Sequence, residues 1–448
     1  MDAASLARLL TDARRRSPVP VAYADVWEFW VRHGAALRDH VDVIAVHVLP
    51  YWEDEPVHAN AAVAHVRSTV ERVRGVFDGK PVWLAESGWP AAGRQRGPAV
   101  PGIVQQTRFV RGLLDAASTE ATAGLPAGIG STNFIEAFDQ PWKRALEGTV
   151  GGYWGVFDAR GQRRVTLEGD VVPRPDAARA LVLAAIGAIG AIAGVLLRWR
   201  AAADRCPKSR DARRPPTALV HLGSGRSADR LTAVLIAAAA GAALMAAASW
   251  QWQVLVDASL DARAWAIGIA WLAVTLACGA HAAWRLATHG HALNGPARGV
   301  ATARDGAPRD VAAAWLHLAW LASVAAFALQ LVFDARYRDV WWPLPAASAA
   351  CVLLWRTCVQ PLAHGARHER ALAALLASCA PLMLWNEGPA NVQAWSAMFT
   401  CAAAALATWW PHRAPRDDPG SAARAVPGVA DTHASSASTA AGADQPAP

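Results

Sequence analysis

A carboxylate at the end of an apolar run is the first residue of this chain that could do chemistry. The segment Pro81-Val-Trp-Leu-Ala-Glu-Ser-Gly-Trp-Pro90 reads as a short buried strand that stops on Glu86, then breaks into Gly88 and Pro90 with Trp89 between them. A carboxylate fixed at a strand's carboxyl end beside an aromatic ring is how a (β/α) barrel presents a nucleophile to the anomeric carbon of a sugar. The preceding strand ends Val46-His-Val-Leu-Pro-Tyr-Trp-Glu53 and sets His47, Tyr51 and Trp52 at the same mouth. Aromatic faces suit pyranose rings, whose C–H faces are apolar while their rims need hydrogen bonds. Loop packing is the alternative role for both rings, and for Trp52 the two roles weigh equally.

A third block is Asn133-Phe-Ile-Glu-Ala-Phe-Asp-Gln-Pro-Trp-Lys-Arg-Ala-Leu-Glu147, followed by Gly152-Tyr-Trp-Gly-Val-Phe157. It opens as a strand, in which the odd spacing of Glu136 and Asp139 points them to opposite faces. Asp139, at the strand's end, is the better candidate for the mouth. Tyr23, Asp25, Trp27, Glu28 and Trp30 cluster around the end of the first strand and read as structural.

These blocks, in this order and each on a strand end, resemble the signature of glycoside hydrolase family 17, the β-1,3-glucanase family. The likeness covers about residues 18–170 and is closest to a bacterial membrane-anchored branch often labelled β-1,3-glucanase or β-(1,6)-glucan synthase. The resemblance implies a retaining mechanism without metal or cofactor, acting on β-glucan or its oligosaccharides, with Glu86 as nucleophile. It implies sugar contacts from His47, Tyr51, Trp52, Trp89 and Asp139, and places Lys143 and Glu147 at subsite positions. Gln140 stands where plant members usually carry Glu. Hydrolysis, transglycosylation and β-1,6-glucan synthesis all stay open, because the acceptor is a matter of subsite binding. In the family the acid/base is the Glu of an Asn-Glu pair ending the fourth strand. The only such pair here is Asn386-Glu387, in a loop far beyond the barrel. The visible strands are therefore expected to be the fifth to eighth of a TIM (β/α)8 barrel. On this reading the chain is inactive or nearly so unless an upstream fragment completes it.

The elements that must position these residues alternate in βα fashion. Helix is expected over 1–16, 27–37, 60–76 and 103–116, and strand over 18–25, 41–49, 81–86 and 133–139. The run 41–49 is almost uninterruptedly apolar, the pattern of a strand buried on both faces. The partial barrel is assigned to residues 1–176.

An all-α polytopic membrane domain follows over 177–410. Apolar runs at about 178–197, 231–249, 264–284, 311–333, 340–355, 371–386 and 392–410 suggest seven spans, with Trp250, Trp252, Trp341, Trp342, Trp409 and Trp410 at run ends. Residues 1–176 are near neutral, with 20 Lys/Arg and 21 Asp/Glu, whereas 177–448 carry 23 basic and 15 acidic residues. That excess sits in short loops, above all 198–230, so it signals membrane orientation and argues against nucleic-acid binding. Residues 1–176 then lie outside the cytoplasm of a bacterial inner membrane. Arg336 and Arg338, on the nominal outer side, are an exception. The Ala/Ser/Pro/Gly-rich stretch 411–448 reads as a disordered cytoplasmic tail. All six cysteines lie beyond residue 200, none with metal-ligand spacing beside His. The contrasting reading is a glucan-binding or export protein with a non-catalytic barrel remnant. A transport path would need charges within the spans. His281, His317 and Arg356 are the candidates, isolated or near span ends.

Overall fold

Three short runs pair in parallel, and a helix joins each to the next. A computed structural model of the chain describes residues 2–122, 129–171, 176–204, 225–289, 311–340, 342–358 and 367–409. Strands β1 (Ala22–Val26), β2 (Val43–His47) and β3 (Val82–Glu86) form a parallel sheet in the order β1-β2-β3. Central β2 is buried along its first four residues, as its continuous apolar run requires. Helices α1 (Ala3–Arg16), α2 (Trp27–His33), α3 (Ala62–Val76) and α4 (Ile103–Thr122) surround the sheet. The Asp2 side chain caps α1 by accepting from the Ser5 amide at 2.9 Å. Trp30 of α2 is fully buried and donates its indole N–H to the Ala45 carbonyl at 2.9 Å, which locks helix to strand. The core between the layers gathers Trp30, Ile44, Val46, Val66, Leu84 and Phe109.

The expected fourth strand is not a ladder. Segment 133–139 makes only isolated bridges, Ser87 with Phe134 and Phe138 with Phe157. Its backbone alternates partners: the Ile135 amide donates to Ser87, while the Glu136 and Asp139 amides donate to Trp154 and Phe157. A segment shared between two neighbours satisfies its backbone without forming a regular strand. A short helix, α5 (Arg144–Glu147), follows it.

Beyond residue 176 the described residues hold seven helices: α6 (Asp176–Asp204), α7 (Gly225–Ala258), α8 (Ala262–His289), α9 (Val311–Phe333), α10 (Pro343–Cys358), α11 (Arg367–Glu387) and α12 (Val392–Trp409). Four are long and apolar enough to cross a membrane, over Ala177–Ala201, Arg230–Ala258, Ala262–Thr288 and Val311–Phe333. With 16 residues α10 is shorter than a hydrocarbon core requires. Gly187 and Gly241 bring α6 and α7 together so closely that a Cβ on either would strike the other's backbone carbonyl. The polar residues that seemed isolated in sequence are not so in space. His317 of α9 lies 3.7 Å from Glu369 of α11, and both His281 and Arg356 rest on the Trp355 ring. Trp341, Trp410, Cys206, the 411–448 tail and most of the basic loop 198–230 lie outside the described residues.

The two halves form one compact unit, joined by a polar seam. Helix ends and the α9–α10 connection supply its bundle side. Tyr153 meets Asp257 at 3.3 Å, the Thr149 hydroxyl donates to Asp339 at 2.8 Å, and the Gln95 amide donates to Gln393 at 2.9 Å. Arg94 pairs with Glu387, and both side chains are almost wholly buried. Asn386-Glu387 is therefore not remote from the amino-terminal half, as its place in the sequence suggested. Glu387 is anchored against that half and neutralised by Arg94. The Arg336 exception also resolves, since its guanidinium donates to the Trp52 carbonyl at 3.1 Å and lies 3.5 Å from Asp54.

Candidate active site

Register decides which residues meet at the end of the sheet. A shift between Val46 and His47 puts His47 directly opposite Glu86, whereas the preceding pairs run in step. Glu86 Oε2 consequently lies 3.6 Å from His47 Nδ1, with the two side chains 39% and 23% exposed. That distance is an electrostatic contact rather than a hydrogen bond, so the carboxylate keeps its lone pairs available. Next to it, Ser87 is buried and donates its hydroxyl to the Val48 carbonyl at 2.8 Å, fixing the backbone just after the carboxylate.

The other sequence candidates divide into two sets. His47, Trp52 and Glu147 line an open cleft of about 420 Å³. Burial raises the Glu147 carboxyl above the usual range, against the pull of the Lys143 ammonium. Trp52 lies near-parallel to Trp154 at 6.4 Å and carries the Arg96 guanidinium over its ring at 5.1 Å. The second set faces inward. Tyr51 is fully buried and its hydroxyl donates to the Arg94 carbonyl at 2.7 Å; burial pushes its phenol well up. Trp89 is 1% exposed and donates to the Val100 carbonyl at 3.1 Å. Lys143 is tied to Glu136 at 2.7 Å. Asp139 accepts from the Gly155 amide at 2.9 Å and pairs with Arg164. Burial raises its carboxyl, while Arg164 and that amide oppose the rise.

Residues 1–155 match the model of the BtgE/BtgC glycoside hydrolase domain. Over that stretch the chain is similar to a glycoside hydrolase domain. The Aspergillus fumigatus protein named "Probable beta-glucosidase btgE" is 29% identical over 129 residues, which are 29% of this chain and 21% of that protein. Its Aspergillus oryzae counterpart is 30% identical over 129 residues, 29% of this chain and 19% of its own length. The chain thus spans about a fifth of the curated relatives it matches. Among solved structures, an active-site mutant of Rhizomucor miehei beta-1,3-glucanosyltransferase in complex with laminaritriose has a TM-score of 0.32 at 23% identity, covering 38% of this chain and 59% of that one.

Several residues of this cleft were not expected there from sequence, Glu28 having read as structural. Glu28, from the first turn of α2, lines it, and its carboxyl is raised chiefly by burial, with Glu53 and Asp54 adding like charge. Glu53 lines it as well, held by His65 of α3 at 2.7 Å. The hydrogen bond that His65 donates to the Glu53 carboxylate raises its imidazole against the opposing effect of burial. Arg336 and Tyr337, from the connection between α9 and α10, complete the wall. The sequence trace of these last two was the pair of arginines that broke the charge rule.

Proposed function

We propose that this chain carries out retaining chemistry on β-glucan, with Glu86 as the nucleophile. The observation that carries the reading is the placement of Glu86: last residue of a parallel strand, half-exposed, opposite His47 and beside a cleft with aromatic and carboxylate walls. Glu86 attacks the anomeric carbon and a glucosyl ester forms as the leaving oxygen takes a proton. Water or another sugar hydroxyl then reverses the step. With a sugar acceptor the same ester gives glucan remodelling, including β-1,6 branching. The parallel strands take the place of the fifth, sixth and seventh of a TIM barrel, with segment 133–139 at the eighth position. Residues 1–171 contain no Asn-Glu pair. On this reading the acid/base carboxyl lies outside these residues.

On the same proposal the hydrolase domain lies at the outer face of a bacterial inner membrane, with α6–α12 as its membrane domain. The seam supports this orientation, because the carboxyl ends of α7 and α11 and the connection after α9, all expected outside, touch the hydrolase domain. Glu86→Gln tests the assignment in the intact chain. Turnover of β-1,3-glucan should fall at least about a thousandfold while glucan binding persists. Unchanged turnover would refute the nucleophile.

A further inference from the structure

We propose that a sugar-binding subsite in the cleft is built jointly by the two halves, from Glu53 of the hydrolase domain and from Arg336 and Tyr337 of the α9–α10 connection. It takes one pyranose unit of a neutral glucan, and it rests on the glucan-active reading above.

Glu53 carries the first part. Its side chain is only 10% exposed, and Oε2 is occupied by His65 at 2.7 Å. Oε1 is buried without a hydrogen-bond partner among the described residues. A buried carboxylate oxygen left unpaired is costly, and a wall that keeps one is suited to a ligand that brings a donor. A sugar hydroxyl is such a donor. His65 fixes the carboxylate so that this one oxygen remains to be filled.

The α9–α10 connection supplies the opposite requirements. Tyr337 is 42% exposed and its ring leans on Trp52 at 5.8 Å, so a supported aromatic surface remains for the apolar face of a sugar. Trp52 is itself occupied by Trp154 and by the Arg96 and Arg336 guanidiniums, which makes it the brace and Tyr337 the platform. Arg336 is pinned at the Trp52 carbonyl and near Asp54, and its remaining N–H groups make no hydrogen bond to the wall among the described residues and suit sugar hydroxyls. The cleft's charge selects the ligand class. Its wall holds Glu28, Glu53, Asp54 and Glu147 against Arg32 and Arg336, so a neutral, hydroxyl-rich chain is favoured over an acidic polysaccharide. The helical half is then part of the binding site, as well as an anchor for it.

The test measures binding of a ladder of β-1,3-gluco-oligosaccharides to the full-length chain in detergent, by calorimetry. It compares wild type with Tyr337→Ala, Tyr337→Phe, Arg336→Ala and Glu53→Gln, and records each variant's melting temperature. Tyr337→Ala and Glu53→Gln should raise Kd about tenfold or more for oligosaccharides long enough to reach the subsite, and leave the shortest unaffected. Tyr337→Phe keeps the ring and should bind like wild type. Near-isosteric Glu53→Gln keeps the experiment decisive if Tyr337→Ala fails to fold. Wild-type affinity at every length in both variants would overturn the subsite while leaving the Glu86 assignment standing. Absence of glucan binding by wild type would overturn both.

Discussion

Two glutamate–histidine pairs stand at the same cleft and are built in opposite ways. His47 and Glu86 are 3.6 Å apart with the carboxylate 39% exposed. His65 and Glu53 are 2.7 Å apart with the carboxylate 10% exposed. The residue types are the same, so the difference lies in what each carboxylate is left free to do. A nucleophile must offer a lone pair and be approachable, and a short bond to a neighbour would spend that lone pair. A carboxylate that orients a ligand gains from being held still. The loose pair is suited to reaction and the tight one to support. Arg94–Glu387 extends the supporting class to the seam, where neither side chain exceeds 9% exposure.

The contrast can be broken in order of expected effect. Arg94→Ala leaves Glu387 buried without its counter-charge and should destabilise the folded chain by about 3–5 kcal/mol, read from denaturant unfolding in detergent. His65→Ala should cost about 2 kcal/mol by stranding the Glu53 carboxylate, whereas His47→Ala, beside an exposed partner, should cost less than about 0.5 kcal/mol. If the two histidine variants lose equal stability, the division into loose and tight pairs is wrong. The pair at His65 also has a pH signature. Its folded-state pKa is raised above the ordinary 6.5, so its contribution is fully present below that value and is lost as pH rises through the raised one. Melting profiles across that window should fall for wild type and lack that component in His65→Ala. Tyr51→Phe removes one buried hydrogen bond to Arg94 and should cost about 1 kcal/mol, less than His65→Ala, with glucan affinity unchanged. A selective loss of affinity would instead return Tyr51 to the binding surface.

The sheet was legible in sequence wherever a strand was apolar on both faces. The run 41–49 contains β2, and 81–86 contains β3, because both runs are almost wholly apolar, although Trp83 of β3 is exposed. Segment 133–139 has the composition of a strand, yet its amides serve two different neighbours, and composition does not encode which carbonyl an amide will find. Tyr51 and Trp89 were recognised as aromatic residues near Glu86. Their inward rotation depends on Arg94 and Val100 as acceptors, residues distant from Tyr51 in sequence or beyond a turn from Trp89. The farthest from reach were Arg336 and Tyr337. They arrive at the cleft through the packing of α9 and α10, nearly three hundred residues after Trp52, and periodicity carries no information about such an encounter.

Gly148 gives the seam an evolutionary consequence. Its φ is +73°, and a Cβ there would lie 2.6 Å from the Tyr337 carbonyl oxygen. Any other residue at 148 would pry the α9–α10 connection away from the segment after α5. Position 148 and the connection around Tyr337 can therefore drift only together, although some 190 positions separate them in the gene. A recombination event that exchanged one half for a relative's would have to bring both.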